Sequence, residues 1–210
     1  IALLALSSSA SWAKKESASE FIERMEVEGN ELSKELGAAY WVRSTYITKD
    51  TAVLAAKAGE RGLAFESMAF KGALKHKGSK MDPVTARAIE LMLRGSSAPA
   101  PNDPKLRAEL SEILTKMEGA DGAGSYCNAE DECRELQELE KVLAESRDYD
   151  ELLDVWLGWR TVSPPYRADY QRFVELGNQG SKDMGFENLA DVWKSNYDMT
   201  PEAFTVEARR

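Results

Sequence analysis

At Asp82-Pro83, Asp103-Pro104 and Thr200-Pro201 the chain sets a side-chain oxygen directly before a proline. Each pair reads as a helix start. The oxygen accepts from amides of the first turn that have no intrahelical partner, and proline is tolerated at the first helical position because its absent N–H would be unpaired there anyway. Behind the first start come Ile89, Met92 and Leu93, running to a stop at Gly95, and behind the second come Leu106, Leu110, Ile113, Leu114 and Met117. These spacings of three and four are helical. No segment alternates apolar and polar residues for long enough to make a convincing strand, and no internal repeat is present. The expected fold is all-α.

The other periodic stretches agree. From Ala18 to Thr45, Phe21, Met25, Leu32, Leu36 and Tyr40 form an amphipathic stripe, and a second helix is expected from about Lys49 to Lys75, with Leu54, Ala58, Phe65 and Met68 on its buried side. Gly59, Gly62 and Gly72 read either as close helix contacts or as simple weak points. Ser96 to Pro101 is expected to be an exposed linker, and Gly119 to Gly124 a break. The stretch from Cys127 to Cys133 reads as a loop entering a helix of Leu136, Leu139, Val142 and Leu143. Asp148 then caps a helix ending on Trp159 and Arg160, and Pro164-Pro165 opens another that carries Tyr166, Tyr170, Phe173 and Leu176. A turn at Gly180 to Gly185 precedes a short helix with Leu189, Val192 and Trp193.

Composition sets the class. With 43% hydrophobic and 30% charged residues in 210, the chain is of ordinary globular make-up and long enough to bury a core. A formal net charge of -9 repels phosphate backbones, so general nucleic-acid binding is not expected. Residues 1–13 combine an apolar run, Ile1 to Leu6, with small residues up to Ala13, and read as the remnant of a secretory signal peptide that includes Trp12. That run is too short to span a bilayer, and no later one reaches the ~20 apolar residues a membrane helix needs, so no transmembrane segment is expected. The remaining residues, 14–210, are expected to be exported, to the periplasm or beyond it. The last helix opens at Thr200 and reaches Arg210 with no closing signal, as a truncated domain would.

Individual side chains narrow the chemistry. Leu152, Trp156 and Arg160 lie at i, i+4 and i+8, which puts a guanidinium on the apolar stripe of its helix. Such a cation needs a carboxylate, helix carbonyls or a bound anion. Trp41, Trp156, Trp159 and Trp193 fall among aliphatics at helical spacing and are expected in the core. The only histidine, His76, lies in a lysine-rich turn and is expected to be solvated. Cys127 and Cys133 are spaced to close a disulfide, with a metal pair or two free thiols as the alternatives. Glu118 sits before Gly119 near a helix end where the dipole disfavours an acid, so a partner or solvent must hold it.

Several ordered motifs carry a resemblance. Ser146 to Leu153, Gly158-Trp159-Arg160, Tyr170 with Phe173 to Asn178, and Asp191 to Tyr197 resemble the amino-terminal half of the angiotensin-converting enzyme family. The Cys127 and Cys133 pair and Met117-Glu118 fall at that family's spacing, and Trp41 with Tyr46-Ile47-Thr48 is similar to its bacterial members. The resemblance implies a mostly helical ellipsoid with a deep channel, in which the first helices form a lid. It implies a zinc peptidyl-dipeptidase whose metal is held by H-E-x-x-H and a downstream glutamate. One histidine cannot make that motif, so no catalytic residue or metal ligand is expected here; both would come from a carboxyl-terminal half of the same chain. The resemblance further implies chloride ligation by Arg160 and Tyr197, a Cys127 to Cys133 disulfide, and a substrate cleft lined by Glu118, Tyr40 and Ser44. The last two replace asparagines of the mammalian pattern. The expected partner is a peptide. A competing reading is a stand-alone exported helical peptide-binding or adaptor module, and a third is a degraded product exposing half of an interface.

Overall fold

A computed structural model describes residues 15–94 and 96–210. The expected leader with Trp12 and the expected stop at Gly95 lie outside the described residues. Those described form nine α-helices: α1 (Ala18–Thr45), α2 (Lys49–Leu74), α3 (Pro83–Leu93), α4 (Pro104–Gly122), α5 (Leu136–Glu145), α6 (Tyr149–Trp159), α7 (Arg167–Asp183), α8 (Leu189–Ser195) and α9 (Pro201–Ala208). A single 3-10 turn, Pro164–Tyr166, leads into α7. The fold is mostly all-α, as expected.

The helix starts are the ones the sequence writes. Asp82 accepts from the Val84 and Thr85 amides at 3.0 Å each, Asp103 from Lys105 at 2.7 Å, and Asp148 from Asp150 at 2.9 Å. Ser17 and Glu20 close a reciprocal capping box at the head of α1, and Thr48 and Thr51 close another on α2. The ends and the supposed breaks differ. α4 runs through Gly119 to Gly122, and α7 runs through Gly180 to Asp183. A lone glycine costs a helix only about 1 kcal/mol, which tertiary packing readily offsets.

The Cys127 to Cys133 loop is a small hairpin. Strands β1 (Ser125–Cys127) and β2 (Cys133–Glu135) pair antiparallel, with Cys127 opposite Cys133 and the two sulfurs bonded. Three-residue strands are too short to show a period of two, so the sequence pattern missed them. In the turn, Asn128 Oδ1 accepts from the Glu130 amide at 3.1 Å and the Glu132 amide at 2.9 Å, while Asp131 adopts a left-handed φ of 61°.

Two clusters make the core. One joins Phe21, Ile22 and Met25 of α1 to Ala69 and Ala73 of α2 and Ile89 of α3. The other joins Leu63 of α2, Leu110 and Ile113 of α4, Phe173 and Leu176 of α7, and Leu189 of α8. The buried face of α2 is only partly the one expected. Ala58 is buried and Phe65 packs against the first cluster, but Leu54 and Met68 are 60% and 44% exposed, and Ala55 and Ala73 are buried instead. α2 lies between α1 and α4, and small side chains let the three backbones approach. A Cβ on Gly59 would meet Ser111 Oγ at 2.6 Å and Tyr40 Oη at 2.7 Å, and one on Gly72 would strike the Phe21 ring. Those glycines therefore mark close contacts.

Further expectations are corrected. The linker is exposed only at Ser97; Pro99, Ala100 and Pro101 are buried, with the Pro99 carbonyl pressed against Gly180 of α7. A short apolar Pro-Ala-Pro segment packs flat where glycine leaves room. His76 is buried too, its ring stacked 5.2 Å from that of Phe21, because the turn after α2 folds it back under α1. Among the described residues, no helix is long and apolar enough to cross a membrane.

Candidate functional site

The carboxyl-terminal turns of α1 and α4 meet, and they bring the three cleft candidates together. Tyr40 and Ser44 lie four residues apart on one face of α1. Ser44 Oγ donates to Glu118 Oε1 of α4 at 3.3 Å, which supplies the partner an acid near a helix C-terminus requires. Tyr40 stands beside them, its ring half-buried against Gly59. Its phenol is held above its ordinary pKa, first by burial and then by the negative charges of Glu118 and Glu66. The phenol therefore stays a neutral hydrogen-bond donor. With the exposed carboxylate of Glu118 it presents a polar edge suited to peptide N–H and C=O groups or to a cationic side chain.

Arg43, next to Ser44, is a residue that sequence reasoning missed. It is 6% exposed, and its Nη1 donates to the Thr48 carbonyl at 3.0 Å. It lies seven residues after Leu36 on the inner stripe of α1, so the signal applied to Arg160 was present here as well.

Arg160 is placed otherwise than expected. It is exposed, donates from Nη1 to the Trp156 carbonyl at 2.9 Å, and lies with its guanidinium carbon 3.3 Å from the centroid of the Trp156 ring. Of the partners expected, helix carbonyls are the ones present. The stripe it shares is not core: Trp156 is 51% exposed, and α6 buries Val155 and Gly158 instead. Trp41 and Trp193 are also exposed, Trp193 donating from Nε1 to the Ser97 carbonyl at 2.8 Å. Trp159 is partly buried. These corrections share a cause: helical spacing reports a common face and says nothing of what covers it. The disulfide hairpin braces α6 through Tyr126, whose Oη donates to Asp154 Oδ1 at 2.6 Å. That bond raises the Tyr126 phenol pKa above its ordinary value.

Tyr197 is exposed, with its ring 4.4 Å from that of Phe204. It borders an 840 Å³ cavity that also includes His76, Arg94 and Asp198. Asp198 accepts from Arg87 Nη1 at 3.0 Å and Nη2 at 3.1 Å and also contacts Arg94. The two guanidinium groups draw the Asp198 pKa down to about 2. No hydrogen bond or ring contact among the described residues joins Tyr197 to Arg160. The cavity is lined by neither Glu118 nor Ser44, so size and the cleft candidates point to different places. The Glu118 face is the better candidate, because three side chains chosen on other grounds converge there.

The donor set does not fit zinc. Among the described residues no group of three or more His, Cys, Asp or Glu could hold a metal ion; both cysteines are bonded to each other, and His76 is packed on Phe21. No chemical step through a metal is assigned to these residues.

The angiotensin-converting enzyme family model matches residues 12–208. Angiotensin-converting enzyme of Bos taurus is 32% identical over 172 residues, which cover 77% of this chain and 13% of that protein. Its counterpart in Sus scrofa is 37% identical over 93 residues, 43% of this chain and 7% of that protein. An angiotensin-converting enzyme-like protein of Mus musculus is 34% identical over 92 residues, 43% of this chain and 12% of that protein. The chain thus spans about a tenth of the length of the curated relatives it matches.

Proposed function

Because the chain belongs to the angiotensin-converting enzyme family, we propose that it forms one wall of an exported zinc peptidyl-dipeptidase, an enzyme that removes dipeptides from peptide C-termini. The described residues supply access control and subsite contacts. The zinc-binding residues belong to a portion of the enzyme outside these 210, since the single histidine is packed on Phe21. The observation that carries the reading is the Ser44 to Glu118 hydrogen bond with Tyr40 beside it, which puts the family-implied cleft residues on one accessible face. There Glu118 orients a peptide by its charge, and Tyr40 and Ser44 by neutral hydrogen bonds. The apolar leader supports export.

Chloride ligation by Arg160 and Tyr197 is part of the proposal. Both side chains are exposed, and a guanidinium has five N–H donors, of which the Trp156 carbonyl takes one. The adaptor alternative draws support from the exposed apolar residues of α6, Leu153, Trp156 and Leu157. Coding sequence that continues downstream into H-E-x-x-H separates the two: its presence supports the enzyme, its absence the adaptor.

The direct test is Glu118→Gln in the full-length natural protein, assayed with peptides that differ only in a basic or neutral residue upstream of the scissile bond. The expected outcome is a KM several-fold higher, about 5–10-fold, for the basic peptide with kcat unchanged, as for loss of uniform binding. Equal kinetics of wild type and variant on both peptides contradict the subsite assignment.

A further inference from the structure

We propose that Arg43 is the positioning residue for the Ser44 to Glu118 pair: a buried guanidinium that sets the geometry of a subsite it does not itself touch. The inference rests on reading Ser44 and Glu118 as substrate contacts. Consecutive residues of α1, Arg43 and Ser44, meet consecutive residues of α4, Gly119 and Glu118. One pairing is internal and the other faces outward.

Inside, Arg43 Nη2 fills the space that a Cβ on Gly119 would occupy, so α4 approaches this closely only because residue 119 has no side chain. Nη1 reaches the Thr48 carbonyl, at the N-cap of α2, at 3.0 Å. One side chain therefore ties α1, α2 and α4 together at the point where their relative positions decide whether Ser44 meets Glu118. Nε is buried with no hydrogen-bond partner among the described residues, so the group is not there to complete a polar network.

A methionine or leucine would fill such a slot without the desolvation penalty of a charge. What the charge adds is directional. Arg43 lies in the last turn of α1 and packs on the last turns of α4, where unpaired carbonyls make both helix ends negative. A cation there is held by both ends at once and opposes their drawing apart. An apolar residue would not do so.

The experiment compares Arg43→Ala, Arg43→Lys and Gly119→Ala with wild type in the full-length natural protein. It reads amide hydrogen exchange at residues 44–48 and 118–122, and the basic-to-neutral peptide preference in kcat/KM. Expected for Arg43→Ala and Gly119→Ala is exchange at least about tenfold faster in those two segments, unchanged exchange in α5 and α6, and a preference reduced to that of Glu118→Gln. Arg43→Lys keeps the charge at the helix ends and should recover part of the preference. Faster exchange with the preference intact overturns the proposal, since a merely structural arginine would give that result. Unchanged exchange overturns it as well. If Glu118→Gln itself leaves the preference unmoved, the subsite reading fails separately, and local exchange alone decides whether Arg43 holds α1 to α4. Should Arg43→Ala not fold, Gly119→Ala and Arg43→Lys carry the comparison.

Discussion

The α1, α2 and α4 interface and helix α6 are both amphipathic in sequence, yet they differ in how much of the apolar stripe is covered. Where α2 passes Tyr40 of α1 and Ser111 of α4, the interface closes on small residues, with Ala55, Ala58 and Ser111 inside and Leu54 and Met68 outside, while larger residues such as Phe21 and Leu110 pack elsewhere along the same helices. α6 has the richer apolar stripe and leaves it open, with Leu153, Trp156 and Leu157 exposed and only Val155 and Gly158 buried. Close helix approach selects for small volume, because interhelical distance falls with the size of the side chains at the contact. Large apolar residues mark a surface that can be covered, and the described residues do not supply the cover at α6.

The sharpest way to break that comparison is a pair of truncations. Leu110→Ala, in the centre of the second core cluster, should destabilise the chain by about 3–5 kcal/mol, because the cavity adds to the lost transfer free energy. Trp156→Ala removes a larger side chain and should cost below about 1 kcal/mol in the same urea titration, since its ring is half in solvent and lies against the Arg160 guanidinium. Comparable losses for the two would show that the α6 stripe is covered in solution.

Next in size is the hairpin that braces α6. Replacing Cys127 and Cys133 by serine opens a loop with a sequence separation of 6. By the chain-entropy argument this costs about 2 kcal/mol. The loss should appear in the denaturation midpoint and vanish when wild type is measured under reducing conditions.

The smallest effect is electrostatic and lies away from both regions. Asp198 has a folded pKa of about 2 against an ordinary 3.8, lowered by Arg87 and Arg94. A depressed folded pKa contributes stability that is present above the unfolded pKa and lost as pH falls through the folded one. The difference in stability between wild type and Asp198→Asn should therefore be full at neutral pH and shrink between about pH 4 and pH 2. The pair is exposed, so the difference should also weaken as salt is added. A difference independent of pH would remove the ion pair from the account.

Much of the fold was legible because helix starts are local chemistry. Asp82, Asp103, Asp148 and Thr200 each accept from first-turn amides, and the sequence alone names them. Burial was less legible because it belongs to the partner. Nothing within α2 says that alanines rather than Leu54 face α4, and nothing within Pro99 to Pro101 says that Gly180 leaves a seat for them. His76 looks solvated among its lysines until the chain folds it onto Phe21. The cleft residues were named by family resemblance, and geometry brings them together without having been used to choose them. Arg43 lies on the stripe of Leu36 as Arg160 lies on that of Trp156, and spacing alone does not say that the first is buried and the second exposed.

In the proposed function these residues shape and gate a peptide cleft without carrying its hydrolytic chemistry. Its most direct test is to purify residues 14–210, confirm helical folding, add zinc, and follow release of a C-terminal dipeptide from a reporter peptide. A folded product with no release above the uncatalysed rate is expected. Zinc-dependent release that is lost in His76→Ala would contradict it.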